Sequence, residues 1–233
     1  MNNFLLQIKI QERLNKLSSK DYDNVECWQM AEAFNKAQVE WCRRQLHGTN
    51  QFREGAEGST RRVDDLQVLL KDIPLEGYHK DKFFESKIIP KDYFQFNRIS
   101  TYGTSDCCNA RPFVVYEGEE ADVDNLLRDE NTKPSFEWAE TFSTMIDNKF
   151  RIYTNGEFIV SSPKLTYYRQ PVQVQFINCS NIETGTAFIR DQTSEFKDDI
   201  VELIIDEAVA ILAGDIESQL QIQRNAQNAE RNN

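Results

Sequence analysis

Residues Ile200 to Ala213 (IVELIIDEAVAILA) are apolar at 11 of 14 positions. A helix lying on a single core needs an apolar stripe only about 100° wide. This run is apolar on nearly every side, so protein must enclose it from several directions. At 14 residues it is shorter than the roughly 20 that span a bilayer. Beyond it, Asp215 to Asn233 keep only Ile216, Leu220 and Ile222 as sizeable apolar groups, too few to fold alone. An enclosed helix followed by a polar arm is the form of a subunit that meets neighbours.

The rest of the chain divides by residue type. All six prolines lie between Pro74 and Pro171, and seven of eight tyrosines lie between Tyr78 and Tyr168. Proline breaks helices and tyrosine is enriched in strands. The expected fold is therefore α+β, with a helical region over 1–74, an antiparallel β-rich region over 75–190, and a C-terminal helix over 191–214 packed on the helical region. An extended arm over 215–233 completes a single structural domain.

Helical spacing predicts a first helix over Asn3–Leu17. A second runs from near Asp23, capped by that residue with Glu26 as its capping-box partner, to about His47, where Gly48 stops it. This helix carries two apolar stripes. Cys27, Met30, Ala31, Phe34, Ala37 and Trp41 form one, and Val25, Trp28, Val39 and Leu46 form the other. A single core uses one stripe, so the second either packs between elements of the same chain or faces another subunit. Residues 48–59 hold three of the nine glycines and read as a mobile loop. A short helix is expected from Thr60 to about Asp72, ended by Pro74.

In the centre, FRIYTNGEFIV (Phe150–Val160) alternates around Asn155-Gly156, the pair favoured in type I′ turns, and predicts a hairpin. The alternation of Val172, Val174 and Phe176 predicts one or two further strands joined at Pro171. Other strands are expected at Phe83–Ile89, Tyr93–Thr101 and Arg111–Glu117, and a helical turn leading into a loop over ADVDNLLRDENTKPS.

Charge and cysteine usage exclude several functions. Lys+Arg 27 against Asp+Glu 38 gives a net charge of −11, which argues against a duplex-binding surface. The isolated pairs Arg43-Arg44 and Arg61-Arg62 read as solvated faces. Five cysteines without a CxxC spacing suggest neither a disulfide framework nor a zinc site, so reduced thiols in a cytoplasmic setting are expected. No signal peptide and no transmembrane helix are expected, hence a soluble protein.

Catalytic patterns are missing. The two histidines are His47 and His79. Cys42 and His47, five apart on a helix, fall on different faces and do not form a nucleophile–base pair. No phosphate-loop, dinucleotide, zinc-protease or serine-elbow motif occurs, and the acidic run Glu117–Asp124 lacks the ligand order of a calcium loop. No enzymatic activity, cofactor or metal is expected.

Several segments in succession carry a resemblance. They are EAFNKAQVEWCRRQ, RRVDDLQVLL, IIPKDYFQFNRIS, VDNLLRDENTKPS, FRIYTNGEFIVSSPKLTYYRQP and EFKDDIVELIIDEAVAIL. Their order, over roughly residues 20 to 215, resembles neck proteins of tailed bacteriophages, most closely the ring-forming head–tail connectors of crAss-like phages. Pro90-Lys-Asp-Tyr93 is similar to their P-x-D-Y strand start, and Leu165 to Pro171 to their L-x-Y-x-R-x-P strand. The resemblance implies a structural virion protein assembled in the host bacterial cytoplasm, about twelve copies forming a ring. Its partners would be itself, the portal protein and other neck and tail proteins. DNA would pass through the channel without sequence recognition, and no membrane is involved. An acidic lumen would let the phosphate backbone slide. Trp28, Val39 and Leu46 on the second stripe and Ile216, Leu220 and Ile222 in the arm are the expected interface residues. An adaptor module holding a tail fibre or cargo is the alternative. A hydrolase acting on a surface polymer is a third reading and would need a cleft with convergent carboxylates.

Overall fold

A computed structural model describes residues 1–17, 25–47, 64–105, 108–177, 179, 185 and 187–216. The fold is α+β, and the chain forms two compact units: 1–68 with 171–233, and 69–170. The β unit is thus inserted between the two parts of the helical unit. Both boundaries fall earlier in the chain than the 74 and 190 read from residue type.

The helical unit holds α1 (Asn3–Leu17) and α2 (Cys27–His47). α1 has the expected bounds. α2 starts later than expected: Glu26 is its cap, its backbone N–H donating 2.9 Å to Oε1 of Gln29, which is half of a capping box. Asp23 lies outside the described residues, as do 48–59 and the start of the Thr60–Asp72 helix. The described remainder of that helix is short. Residues 64–66 are helical, Gln67–Leu69 form a 3-10 turn, and Leu70 already belongs to a strand. Pairing of that strand with the sheet overrides the helical spacing.

In the β unit, β1 (Leu70–Pro74), β2 (Gly77–His79), β3 (Phe83–Ser86), β4 (Tyr93–Ser105) and β5 (Cys108–Glu117) precede a crossover. The crossover carries α3 (Val123–Arg128), and β6 (Glu140–Ile146), β7 (Lys149–Tyr153) and β8 (Ile159–Arg169) follow. The eight strands form one sheet in the order β1-β8-β4-β5-β6-β7-β3-β2. All pairs are antiparallel except β5–β6, and that parallel pair needs the long crossover.

The hairpin expected at Asn155-Gly156 is not there. The turn forms, with φ of 50° and 79° at the two residues and Glu157 N–H donating to Thr154 O at 3.0 Å. Yet β4, β5 and β6 lie between β7 and β8 in the sheet. The tight hairpin joins β6 to β7 through Asp147-Asn148, both in the left-handed region at 50° and 54°. β8 instead runs along β4, where three register shifts curl the sheet. Curling brings Phe96 of β4 to 5.6 Å from Phe150 of β7, ring centre to ring centre. The enclosed core includes Phe84, Ile99, Phe113, Ile152, Leu165 and Tyr167.

Pro171 marks the return to the helical unit rather than a joint between strands. Residues 171–177 form no strand beyond one isolated bridge, Gln175 with Gln192, although Val174 and Phe176 are buried. The chain then reaches α4 (Asp198–Ile216). α4 packs against both α2 and α1, burying Ile200, Val201, Ile204, Ile205, Ala208, Val209 and Leu212. The enclosure that the apolar run demands is thereby met.

Candidate assembly surfaces

Within the apolar run of α4 only Glu202, Asp206 and Glu207 are polar, and each meets a cation. Lys9 and Arg13 of α1 pair with Glu202, Arg13 pairs with Asp206 at 2.6 Å, and Arg44 of α2 pairs with Glu207. The Lys9 hydrogen bond is the first cause holding the Glu202 carboxyl below its usual range. α4 is thus clasped through its polar positions by the helices that bury its apolar ones. Leu203 is the exception, left 58% exposed.

The chain returning from the sheet is held by α2 side chains. Asn35 accepts the Val174 N–H at 2.7 Å and donates to the Val174 carbonyl at 3.1 Å, as a neighbouring strand would. Buried Gln38 donates to Val172 O at 2.9 Å and accepts from Ser194 Oγ at 3.1 Å. Asn3 of α1 donates to Gln175 O at 2.9 Å. A disulfide between Cys27 and Cys179, Cα atoms 5.9 Å apart, completes this attachment. It corrects the expectation of reduced thiols without a disulfide. Spacing of 152 residues carries no pairing signal; the fold alone brings the two together.

The first stripe of α2 is core: Met30, Ala31, Phe34, Ala37 and Trp41 are buried. On the second stripe Trp28, Val39 and Leu46 are all half-buried, as is Val25. Ile216 is the last residue of α4. Leu220 and Ile222 lie outside the described residues, so the structure relates none of the arm to the stripe.

Larger exposed groups lie elsewhere. α1 turns Phe4, 72% exposed, Leu5 and Ile8 to solvent. Phe4 and Ile8 stand one helical turn apart on this exposed side. In the β unit, Tyr102 pairs with Pro112 and Ser161, Ser100 with Val114, and Thr104 with Ile159. Opposed residues share a face, so Tyr102, Pro112, Val114 and Ile159 line one face of the sheet, all exposed. Contiguous exposed apolar groups of this kind mark interaction surfaces.

The two motifs that carry the resemblance meet in the β unit. Asp92, from Pro90–Tyr93, accepts from the Tyr167 hydroxyl at 2.9 Å and from Lys71 at 2.9 Å. Its backbone carbonyl accepts from Gln170 N–H at 2.7 Å. Tyr93 stacks on Tyr167 with ring centres 5.6 Å apart. The Lys71 hydrogen bond first, and that of Tyr167 after it, hold the Asp92 carboxyl below its usual range.

Reactive groups are few. Cys42 is buried, and burial pushes its thiol up to about 12, which leaves it a poor nucleophile at neutral pH. His79 is exposed and packs edge-on against Phe84 at 5.3 Å; the side chain of His47 lies outside the described residues. Among the described residues no group of three or more His, Cys, Asp or Glu side chains could hold a metal, and no helix is long and apolar enough to cross a membrane. No known protein-family model matches the chain, and no curated protein matches it.

Proposed function

We propose that this chain is a non-enzymatic structural protein of a tailed-phage virion, a head–tail connector that forms a ring of about twelve copies between portal and tail. The observation that carries the reading is the junction of Asp92 with Tyr167. It ties Pro90–Tyr93 to Leu165–Pro171, so the segments that resemble the connector motifs act together as one anchor of the sheet. The exposed apolar groups on both units, Phe4, Leu5 and Ile8 on α1 and Tyr102, Val114 and Ile159 on the sheet, give the reading the surfaces that head-to-tail contacts require. The half-buried Trp28, Val39 and Leu46 stay within it as residues a neighbour could cover further, and Ile216, Leu220 and Ile222 as contacts of the arm. The net charge of −11 suits a channel that repels DNA from its wall. The ring would assemble in the host cytoplasm and act in the virion neck.

Native mass spectrometry of the purified chain, alone and mixed with portal, tests this. A closed multimer near twelve copies in either sample supports the connector. A monomer that ignores the portal rejects it.

A further inference from the structure

At one end of the curled sheet, the end of β4, the start of β5, the loop before β6 and the turn before β8 surround a cavity of about 530 Å³. Ser105, Asn109, Arg111, Phe136, Glu137 and Glu157 line it. Arg111 lies two residues from the buried Phe113 on β5, so both side chains point to the same face. Phe113 itself crosses Gly103, where any side chain would stand 2.3 Å from its ring. Gly103 is also the residue paired with Arg111 across the two strands, and the Arg111 guanidinium lies over the Phe136 ring, 4.2 Å from the ring centre. The Arg111 Nε is buried and has no hydrogen-bond partner.

A guanidinium held over an aromatic ring presents a planar fork that matches the two oxygens of a carboxylate. The cavity rim adds a restriction. Glu137 and Glu157 are both exposed there, and Glu157 also accepts the Phe136 N–H at 3.3 Å. Two negative charges repel a free small anion, whereas a carboxylate carried beside a basic group satisfies Arg111 and the rim together.

Trp138 directly follows the cavity residue Glu137 in the chain and is 74% exposed. It sits on loop 136–139, closed by reciprocal backbone hydrogen bonds between Ser135 and Glu140 at 3.0 and 3.2 Å. Ala139 closes the loop at a φ of 55°. The indole is thus presented by a loop already held in shape, and Trp and Arg are among the residue types enriched where protein contacts are strongest.

We propose that this end of the β unit is a docking site for a mixed-charge polypeptide segment. An Asp or Glu of the segment pairs with Arg111, an adjacent Lys or Arg faces Glu137 and Glu157, and Trp138 covers the segment's apolar side. The inference rests on the cavity and the adjoining loop 136–139 and does not depend on copy number or on a virion role.

The test is solution NMR on the full chain, following the Arg111 Nε–H and Trp138 indole N–H signals, assigned by their loss in Arg111→Gln and Trp138→Ala. Three probes are titrated: a peptide of alternating Glu and Lys, the same peptide with Gln for Glu, and sodium acetate. The Glu–Lys peptide is expected to move both signals and to bind at least about tenfold more tightly than the Gln peptide, with acetate weaker than either. Trp138→Ala, at an exposed position, keeps the fold and loses most of the peptide affinity even if Arg111→Gln fails to fold. Equal binding of the two peptides, acetate binding as tightly as the Glu–Lys peptide, or no movement of either signal at millimolar peptide each overturns the proposal.

Discussion

In the β unit the strands are paired through backbone ladders across eight strands, and side chains fill the curl behind them. In the helical unit the segment returning from the sheet has one isolated bridge and depends on Asn3, Asn35, Gln38 and a disulfide for its attachment. The first arrangement spreads cohesion over many equivalent bonds. The second concentrates it in a few side chains brought from far along the chain. Single substitutions therefore act unevenly, and the helical unit is the one most easily disabled.

The strongest test of that contrast is Phe34→Ala. Phe34 is fully buried on α2, and its truncation costs about 3–5 kcal/mol. Hydrogen-exchange mass spectrometry is expected to show protection lost across α2 and α4 while 69–170 keep theirs. Equal loss in both units would show that they unfold as one and remove the contrast.

Removing the Cys27–Cys179 link comes next. A disulfide contributes typically about 2–4 kcal/mol by restricting the unfolded chain. Here the loop it closes contains the whole β unit, and while that unit stays folded it shortens the free part of the loop, which favours the lower figure. Cys179→Ser is expected to lower the urea midpoint of helical signals and leave that of the β unit unchanged. Reductant should reproduce the effect in the unsubstituted chain and add nothing to the variant.

The smallest effect belongs to the β unit. Tyr167→Phe removes one hydrogen bond to the Asp92 carboxylate and costs about 1.5 kcal/mol at neutral pH. The Asp92 carboxyl is depressed in the folded chain by Lys71 first and Tyr167 second. Its contribution to stability is therefore complete above the ordinary carboxylate range, and it is lost as pH falls through the depressed folded value. The difference between the two proteins is expected to shrink in acid, as read from urea midpoints across pH. A difference that holds constant or widens would mean that the hydroxyl acts through packing and not through the charged carboxylate.

Much of the local structure is legible in the residues. α1, the strands beginning at Phe83 and Tyr93, the helical turn in the crossover and the enclosed C-terminal helix follow from spacing alone, since each depends on neighbours within a few positions. Capping shows the limit of such reading: spacing makes Glu26 the partner of a cap, yet it is itself the cap, because Gln29 offers the same reach one turn later. The Asp147-Asn148 turn was legible too, as two residues tolerant of positive φ between alternating strands, but the stronger Asn155-Gly156 signal obscured it. Candidate surfaces were the least legible. The second stripe of α2 proved half-buried, and the exposed sheet face depends on which strands become neighbours.

What the sequence determined by itself is the class of each segment: helical ends, a β-rich centre, a last helix that protein must enclose, and a left-handed turn at Asn155-Gly156. These are set by side-chain shape and periodicity over a few residues. Only the tertiary structure decided that the turn separates two strands with three others between them in the sheet, that Val172 and Val174 bond to Gln38 and Asn35 instead of a strand, and that Cys27 meets Cys179. Alternation states that one side of a segment is buried, without naming the partner that satisfies its backbone. That partner is chosen by competition among distant segments, which the curled sheet and the clasped helix settle together.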